Sequence, residues 1–227
     1  KVFDDVFNLS CTMLQVTEVI SDTEFVMGCR EFGGTYWMPL RAGDKITVYN
    51  EKTGKMIGRT IIKEVVNQSG PDNHIIVEDP LPGNCVDTSV GIDSVSQPGS
   101  VIRRCKVSGS YRFRTPLTVE DSELNTMFAW LDNLPFIEGP VPEHIHFKNC
   151  KIHKVMPPTK PEDSFVLTGE MMVIGNYTTT GARAEFRSED IVFEDCDVEL
   201  DRIRFMPDAD VRFLRGGEEY YHHAIAF

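Results

Sequence analysis

The chain has 227 residues, of which 41% are hydrophobic and 26% charged, and its formal net charge at pH 7 is −12. This composition is typical of a globular protein and argues against an intrinsically disordered chain. The acidic excess argues against a general nucleic-acid binder and against docking on an anionic membrane, because both partners require a basic face. No apolar run approaches the ~20 residues that cross a bilayer, so no membrane span is predicted. The oligomeric state stays open.

The first segment, residues 1–16, is predicted to form one rung of a β-helix. The chain begins at Lys1 and not at Met. We therefore expect a piece of a longer protein, cut open just before this rung.

Residues 17–95 are predicted to form a small antiparallel β-barrel, inserted after that rung. Four stretches of strand-like composition are separated by turn-forming sequences rich in Gly, Pro, Asn and Asp. Short strands with regular turns are typical of such barrels. The four stretches are 17–20, 43–49, 56–66 and 74–78.

The third segment, residues 96–227, contains a sequence repeat that predicts further β-helix rungs. Residues 102–107, 145–152 and 191–198 align on a shared cysteine, with apolar residues at matching positions. Apolar and polar residues alternate in the first half of each copy, which indicates a strand. Self-similar strands at a fixed step are typical of stacked, solenoid-like folds.

The repeat step predicts how many rungs lie between the copies. The shared cysteines are Cys105, Cys150 and Cys196, at steps of 45 and 46 residues. We interpret each step as two rungs of roughly 20–30 residues. Intermediate strands are accordingly predicted at 116–120, 165–174 and 211–214.

The predicted fold class is all-β: a right-handed parallel β-helix of the pectin-lyase type with an inserted antiparallel barrel. Little helix is expected, and the best candidate for one is residues 121–125. The cysteines at 105, 150 and 196 are predicted to stack as an interior ladder of small apolar side chains. No Cys-x-x-Cys pair is present among the six cysteines, so a structural zinc site is not predicted.

Histidines and arginines offer weaker signals. His144 and His146 flank Ile145 on a predicted strand, and His153 follows, but the sequence places no third metal ligand beside them. No metal and no cofactor is predicted. Arginines concentrate at 103–104 and 112–114. They either hold an acidic sugar or pair with the surplus of acidic residues.

The motif of greatest chemical interest is Asp4-Asp5-Val6-Phe7-Asn8. Two adjacent carboxylates at a strand end can reach one cleft, where repulsion raises the pKa of one and keeps the other ionised. Such a pair suits acid–base hydrolysis, and Asn8 suits the orientation of a carboxylate or a sugar hydroxyl. A solvated turn is the alternative interpretation of the motif.

The order of these features resembles glycoside hydrolase family 110, the α-1,3-galactosidases of β-helix fold. The resemblance is carried by Asp4, Asp5 and Asn8, which match the family's Asp-Asp-x-x-Asn motif on a rung. The stretch 13–19 follows, then a barrel strand within 40–49 that contains Gly-Asp-Lys-Ile, and then the cysteine rungs. The resemblance covers residues 2–110 well and the remainder loosely.

The resemblance implies an inverting hydrolase of glycans with terminal α-galactose. It implies that Asp4 and Asp5 are catalytic, on the side that activates water as general base, and that Asn8 binds substrate. The family's acid lies on a rung before the Asp-Asp pair, so we expect little or no activity from this chain alone. Ser10 stands where the family usually has a histidine.

Downstream residues complete the predicted site. Residues 130–140 are predicted to form a long loop between rungs, in which Trp130 stacks on the apolar face of a sugar. A partly buried core position is the alternative for Trp130, and surface charges are the alternative for nearby acids. Carboxylates that can replace the family's acid are Glu120, Asp121, Asp132 and Glu138, of which Asp132 and Glu138 are also substrate-binding candidates.

Three functions stay open. The first is the glycoside hydrolase or a C-terminal fragment of one. The second is a non-catalytic β-helix that binds a glycan or a protein partner. The third is a polysaccharide lyase, which needs a Lys or Arg base and often calcium. A secreted or periplasmic location follows from the glycosidase resemblance alone.

Overall fold

The computed structural model describes residues 5–9, 13–29, 38–50, 56–82, 85, 88–93, 99–132, 142–154, 172–175, 189–205, 209–223 and 225–226. Every helix or strand found in these ranges is a β-strand, so the predicted all-β class is confirmed. The helix predicted at 121–125 is wrong. Ser122, Leu124 and Thr126 are buried at alternate positions, which is the period of a strand. None of the described residues belongs to a helix of the length and apolarity needed to cross a bilayer.

Six strands close into an antiparallel barrel in the order β2-β3-β6-β5-β4-β7. Its interior is apolar because alternate residues point inward, as the buried Leu14 and Val16 on its first strand show. The predicted barrel is confirmed, and its strands span 14–92, against the predicted insert of 17–95. The strands are β2 (Leu14–Val19), β3 (Glu24–Gly28), β4 (Lys45–Tyr49), β5 (Met56–Ser69), β6 (Asp72–Val77) and β7 (Ser89–Ile92).

An eight-stranded sheet is built from strands on both sides of the barrel in sequence. Its main path is β1-β9-β11-β14-β17-β20, with β13 paired to β11 and β16 paired to β13. All of these pairs are parallel. The strands are β1 (Asp5–Leu9), β9 (Lys106–Phe113), β11 (Glu123–Asp132), β13 (Lys151–Lys154), β14 (Met172–Gly175), β16 (Asp197–Glu199), β17 (Ile203–Phe205) and β20 (Ile225–Ala226).

A six-stranded sheet has the order β19-β18-β15-β12-β10-β8. Its pairs are parallel except for β18 with β19. The chain alternates between this sheet and the eight-stranded one, and we call each pass through both sheets a layer. The strands are β8 (Ser100–Arg103), β10 (Leu117–Glu120), β12 (Glu143–Lys148), β15 (Glu189–Glu194), β18 (Val211–Arg215) and β19 (Glu218–Glu219).

Identical side chains stack between the layers. The alignment of the repeat copies is confirmed, because Ile145 pairs with Ile191 and Phe147 with Phe193 in the parallel register. The rings of Phe147 and Phe193 are parallel, with centroids 4.7 Å apart, and Phe193 stacks on Phe213 at 4.8 Å. This column of rings forms the centre of the core between the two sheets.

In four layers the chain bends from the six-stranded to the eight-stranded sheet at a left-handed residue. Each of these residues has φ between 50° and 55° and directly precedes a cysteine or serine that stacks with its counterparts in neighbouring layers. The left-handed residues are Arg104, Asp121, Asn149 and Asp195. Asp and Asn tolerate this conformation better than other side chains with a Cβ. The Asn149 amide also donates to Asp121 Oδ1 at 2.8 Å, which links two neighbouring layers.

The interior ladder exists, but its spacing differs from the prediction. Along the stack, the layer of Ser122 lies between the layers of Cys105 and Cys150, as expected for a step of two layers. Cys150 and Cys196 lie on adjacent layers, because β12 pairs directly with β15. The rung predicted between these two layers at 165–174 is therefore wrong. The described part of that stretch lies in β14, which adds to the eight-stranded sheet instead.

The predicted division into a rung at 1–16, an insert at 17–95 and rungs at 96–227 stays a prediction. Cys150 and Cys196 are buried, as predicted, whereas Cys105 is partly exposed, and all three are free thiols. The Cys150 thiol donates to the carbonyl of Val119 at 3.4 Å, and that of Cys196 donates to the carbonyl of Phe147 at the same distance. The two thiols thus supply hydrogen-bond donors to backbone carbonyls within the stack.

Candidate functional site

One row of the eight-stranded sheet brings together residues that the sequence leaves far apart. Asn8 on β1 pairs with Arg112 on β9, and Arg112 pairs with Trp130 on β11. Because neighbouring strands lie about 4.8 Å apart, the backbones of Asn8 and Trp130 are separated by roughly 10 Å. We call Asn8, Arg112 and Trp130 the register row.

Burial alternation decides which face this row uses. Tyr111 and Phe113 flank Arg112 along β9, and both are buried in the core between the sheets. Arg112 therefore points to the opposite, outer face, where it is half-buried, and Asn8 is exposed. The row thus presents an amide and a guanidinium to the outside of the sheet.

The remaining predicted site residues are placed only in part. Asp4 and Glu138 lie outside the described residues, as do the side chains of Asp5, Trp130 and Asp132. The backbone of Asp5 begins β1 and pairs with Ser110, and a register shift follows it.

The loop predicted from residue 130 onward is wrong at its start. Trp130 and Asp132 belong to strand β11, where Asp132 pairs with Gly175 of β14. The reason is that β11 continues past a register shift between Thr126 and Ala129 and supplies partners to both β13 and β14. Strand pairing fixes the backbone of Trp130 more firmly than a loop would.

The structure also shows a charged network that sequence reasoning missed, between the barrel and the six-stranded sheet. Arg59 on β5 contacts Glu143 at the start of β12, with Nη2 and Oε1 3.5 Å apart. Arg59 Nε also donates to the Thr47 hydroxyl at 3.2 Å, and that hydroxyl donates to Asp93 Oδ2 at 2.7 Å. One guanidinium thus connects two carboxyl groups of different elements.

Both of these carboxyl groups hold their protons more firmly than exposed ones. Burial raises the pKa of Glu143, against the opposing charges of Arg59 and His144. Burial likewise raises the pKa of Asp93, against its hydrogen bond from Thr47 and the charge of Arg59. A carboxyl group with a raised pKa is what a general acid requires near neutral pH.

A second cluster surrounds Asp190 on the six-stranded sheet. Asp190 Oδ2 accepts hydrogen bonds from His144 Nδ1 at 2.9 Å and His146 Nε2 at 2.8 Å. The guanidinium of Arg212 donates to the other oxygen, Oδ1, at 2.5 Å. Burial raises the pKa of Asp190, but the hydrogen bonds from the two histidines outweigh it, so the pKa is lowered overall.

The sequence carried a signal for this cluster. Aligning Ile145 with Ile191 places His144 opposite Asp190, and both residues have φ near 55°. The expectation of an extra layer between the two repeat copies hid this contact. His144 and His146 share the outer face on either side of the buried Ile145, and the carboxylate that joins them comes from the next layer.

Side chains suited to a metal ion converge elsewhere. His153 on β13 lies beside Asp197 and Glu199 on β16, with one ligand atom from each within 4.8 Å of the others. The predicted absence of a metal site rested on the lack of a third ligand beside the histidines. For His153, the neighbouring layer supplies two carboxylates.

Comparison with known proteins adds no assignment to these observations. No protein-family model matches the chain, and neither does any curated protein.

Proposed function

We propose that this chain is a carbohydrate-active protein with a right-handed parallel β-helix fold and an inserted barrel. The parallel pairing of successive layers, the stacked repeat copies and the closed barrel support this fold. The proposed activity is that of an inverting glycoside hydrolase on terminal α-galactose, in this chain or in a longer protein from which it derives. The proposed location is secreted or periplasmic.

The observation that carries the proposal is the register row. A sugar ring has hydroxyls at its rim and apolar C–H faces, so a sugar site needs hydrogen-bonding groups beside an aromatic surface. Asn8 and Arg112 supply the polar groups on the outer face of the sheet. The proposal assigns to Trp130, next in the row, the stacking on a sugar face.

The proposal assigns catalysis to Asp4 and Asp5, just before Asn8 on the same segment. Inversion requires a base and an acid whose carboxyl groups are about 6.5–9.5 Å apart, so that a water molecule fits between the base and the sugar. Asp4 or Asp5 would activate that water. Asp132, at the end of the strand that carries Trp130, and Glu138 are proposed as further substrate contacts.

Binding is tested by titrating the protein with methyl α-galactoside and following backbone amide resonances. Asn8→Ala and Trp130→Ala should each weaken binding at least about tenfold, since each removes more than about 1.4 kcal/mol of contact. Asn67→Ala is the matched control, because Asn67 is an exposed asparagine on the barrel strand β5. Equal affinity in all variants would remove the register row from the proposal.

Turnover is tested on aryl α-galactosides with the intact protein. Asp4→Asn and Asp5→Asn should each lower the rate at least about 100-fold, the smallest effect usual for a general base. The first-formed sugar should be the β-anomer. Binding without turnover would favour the non-catalytic glycan binder, and a calcium-dependent unsaturated product would favour a lyase.

A further inference from the structure

Two adjacent layers bring an imidazole and two carboxylates to one point on the outside of the eight-stranded sheet. His153 Nε2 lies 3.2 Å from Asp197 Oδ2, and His153 Nδ1 lies 4.0 Å from Glu199 Oε2. One ligand atom from each of the three residues lies within 4.8 Å of the other two. We call these residues the His153 cluster.

The parallel register explains why the three side chains meet. His153 pairs directly with Glu199, and Asp197 lies two residues before Glu199 on the same strand. Between them, Ile152 and Val198 point inward and are buried, so the three polar side chains share the outer face. The backbone hydrogen bonds of two neighbouring strands therefore hold the bases of all three side chains.

The ends of these side chains have room to adjust around an ion. The side chains of Asp197 and Glu199 are 60% and 71% exposed, whereas that of His153 is 30% exposed. Ligand atoms around a tetrahedral ion lie about 2.0–2.2 Å from it, which requires them to move slightly closer together. The exposure of both carboxylates leaves space for them to rotate toward the ion.

Two lysines lie on the strand that carries His153, and the first of them, Lys151, is the register partner of Asp197. Lys154 follows His153 on β13, and its amine contacts both carboxylate oxygens of Asp201, at 2.7 and 2.8 Å. That pairing directs the amine of Lys154 to Asp201 and not to the His153 cluster. Imidazole and carboxylate together suit zinc and other first-row divalent ions.

The second histidine cluster is a contrasting case. There His144 and His146 both donate to the same oxygen of Asp190, and the guanidinium of Arg212 occupies the other oxygen. A cation at Asp190 would have to displace hydrogen bonds from three side chains and lie beside a permanent positive charge. The Asp190 cluster is accordingly a hydrogen-bonding network.

We propose that the His153 cluster binds a divalent transition-metal ion. His153 Nε2 and one oxygen each of Asp197 and Glu199 are the protein ligands, and water completes the coordination. The imidazole of His153 already contacts the Asp197 carboxylate, at 3.2 Å, so these two ligands lie within reach of one ion. This inference is independent of the carbohydrate proposal, since it rests on different residues and a different readout.

Zinc chloride is the probe, titrated against a chromophoric chelator at neutral pH, with the whole chain. One ion per chain should bind, and His153→Ala and Glu199→Gln should each weaken binding at least about tenfold, the least effect seen when even an outer partner of a metal site is removed. His146→Ala is the matched control and should bind zinc like the wild type. Circular dichroism of every variant verifies that the fold is retained.

A second measurement keeps a structural effect apart from a lost ligand. Zinc should shift the imidazole resonances of His153 and leave those of His146 unchanged. The proposal is overturned if zinc does not bind, if Glu199→Gln binds it as tightly as the wild type, or if the shifted resonances belong to other histidines.

Discussion

The column of phenylalanine rings offers the sharpest test of how the layers are held together. Phe193 is fully buried and stacks on Phe147 on one side and Phe213 on the other, at 4.7 and 4.8 Å. Truncation of a buried Phe to Ala costs about 3–5 kcal/mol through lost burial and the resulting cavity. Because stacked aromatic pairs add about 0.5–1.5 kcal/mol each, Phe193→Ala should fall at the upper end of that range.

Such a loss is a large part of the about 5–15 kcal/mol that stabilises a typical protein. Guanidinium unfolding, followed by far-ultraviolet circular dichroism, gives the free energy of unfolding of each variant. Phe193→Leu keeps most of the volume and should cost about 1.5 kcal/mol, whereas Tyr221→Ala, at a 69% exposed position, should change the value by less than about 0.5 kcal/mol. A loss below about 1 kcal/mol for Phe193→Ala would refute the stacked core.

Three further predictions concern charge and backbone conformation. The raised pKa of Glu143 means that the folded state binds its proton more readily than the unfolded state, so stability falls as the pH rises from about 4.5 through the folded pKa. Glu143→Gln should flatten this pH dependence of the melting temperature. An unchanged pH dependence would contradict the raised pKa of Glu143. The pH dependence expected for Asp190 is the opposite, because its lowered pKa stabilises the fold above about pH 4. Asp190→Asn should therefore reduce the melting temperature at pH 7 more than at pH 3. Equal losses at the two pH values would disprove the charge-assisted network. Asn149→Ala should cost about 1–2 kcal/mol at its left-handed φ of 50°, and Asn149→Gly should cost less in the same denaturant titration; the reverse order would rule out backbone strain as the cause.

The all-β class, the barrel and the pairing of the repeat copies could be predicted from the sequence, because alternation and turn signals are visible in short stretches of it. Turn residues separate the barrel strands, and the repeat copies align through Ile145 with Ile191 and through Ile152 with Val198, which are partners in the parallel register. Burial alternation alone predicts which side of each strand faces the core. These patterns need no knowledge of how far apart the layers lie.

The Asp190 cluster and the His153 cluster could not be predicted from the sequence, because both depend on the number of layers in a repeat step. Two layers per step would place His144 and Asp190 about 9.6 Å apart along the stack, beyond a hydrogen bond. The observed direct pairing brings their side chains to 2.9 Å. The assumption of two layers per step also places His153 and Glu199 too far apart to contact each other. For this reason the sequence alone showed no third metal ligand beside His153.

Layer spacing in this protein is independent of the number of residues between layers. The step of 45 residues from Cys105 to Cys150 adds two layers, whereas the step of 46 residues from Cys150 to Cys196 adds one. Backbone hydrogen bonds fix the rise between layers, so connecting segments can lengthen or shorten without moving the stack. Gene duplication or deletion of a whole layer would extend or trim such a protein without redesigning its interior, and connectors of very different length would accumulate on its surface.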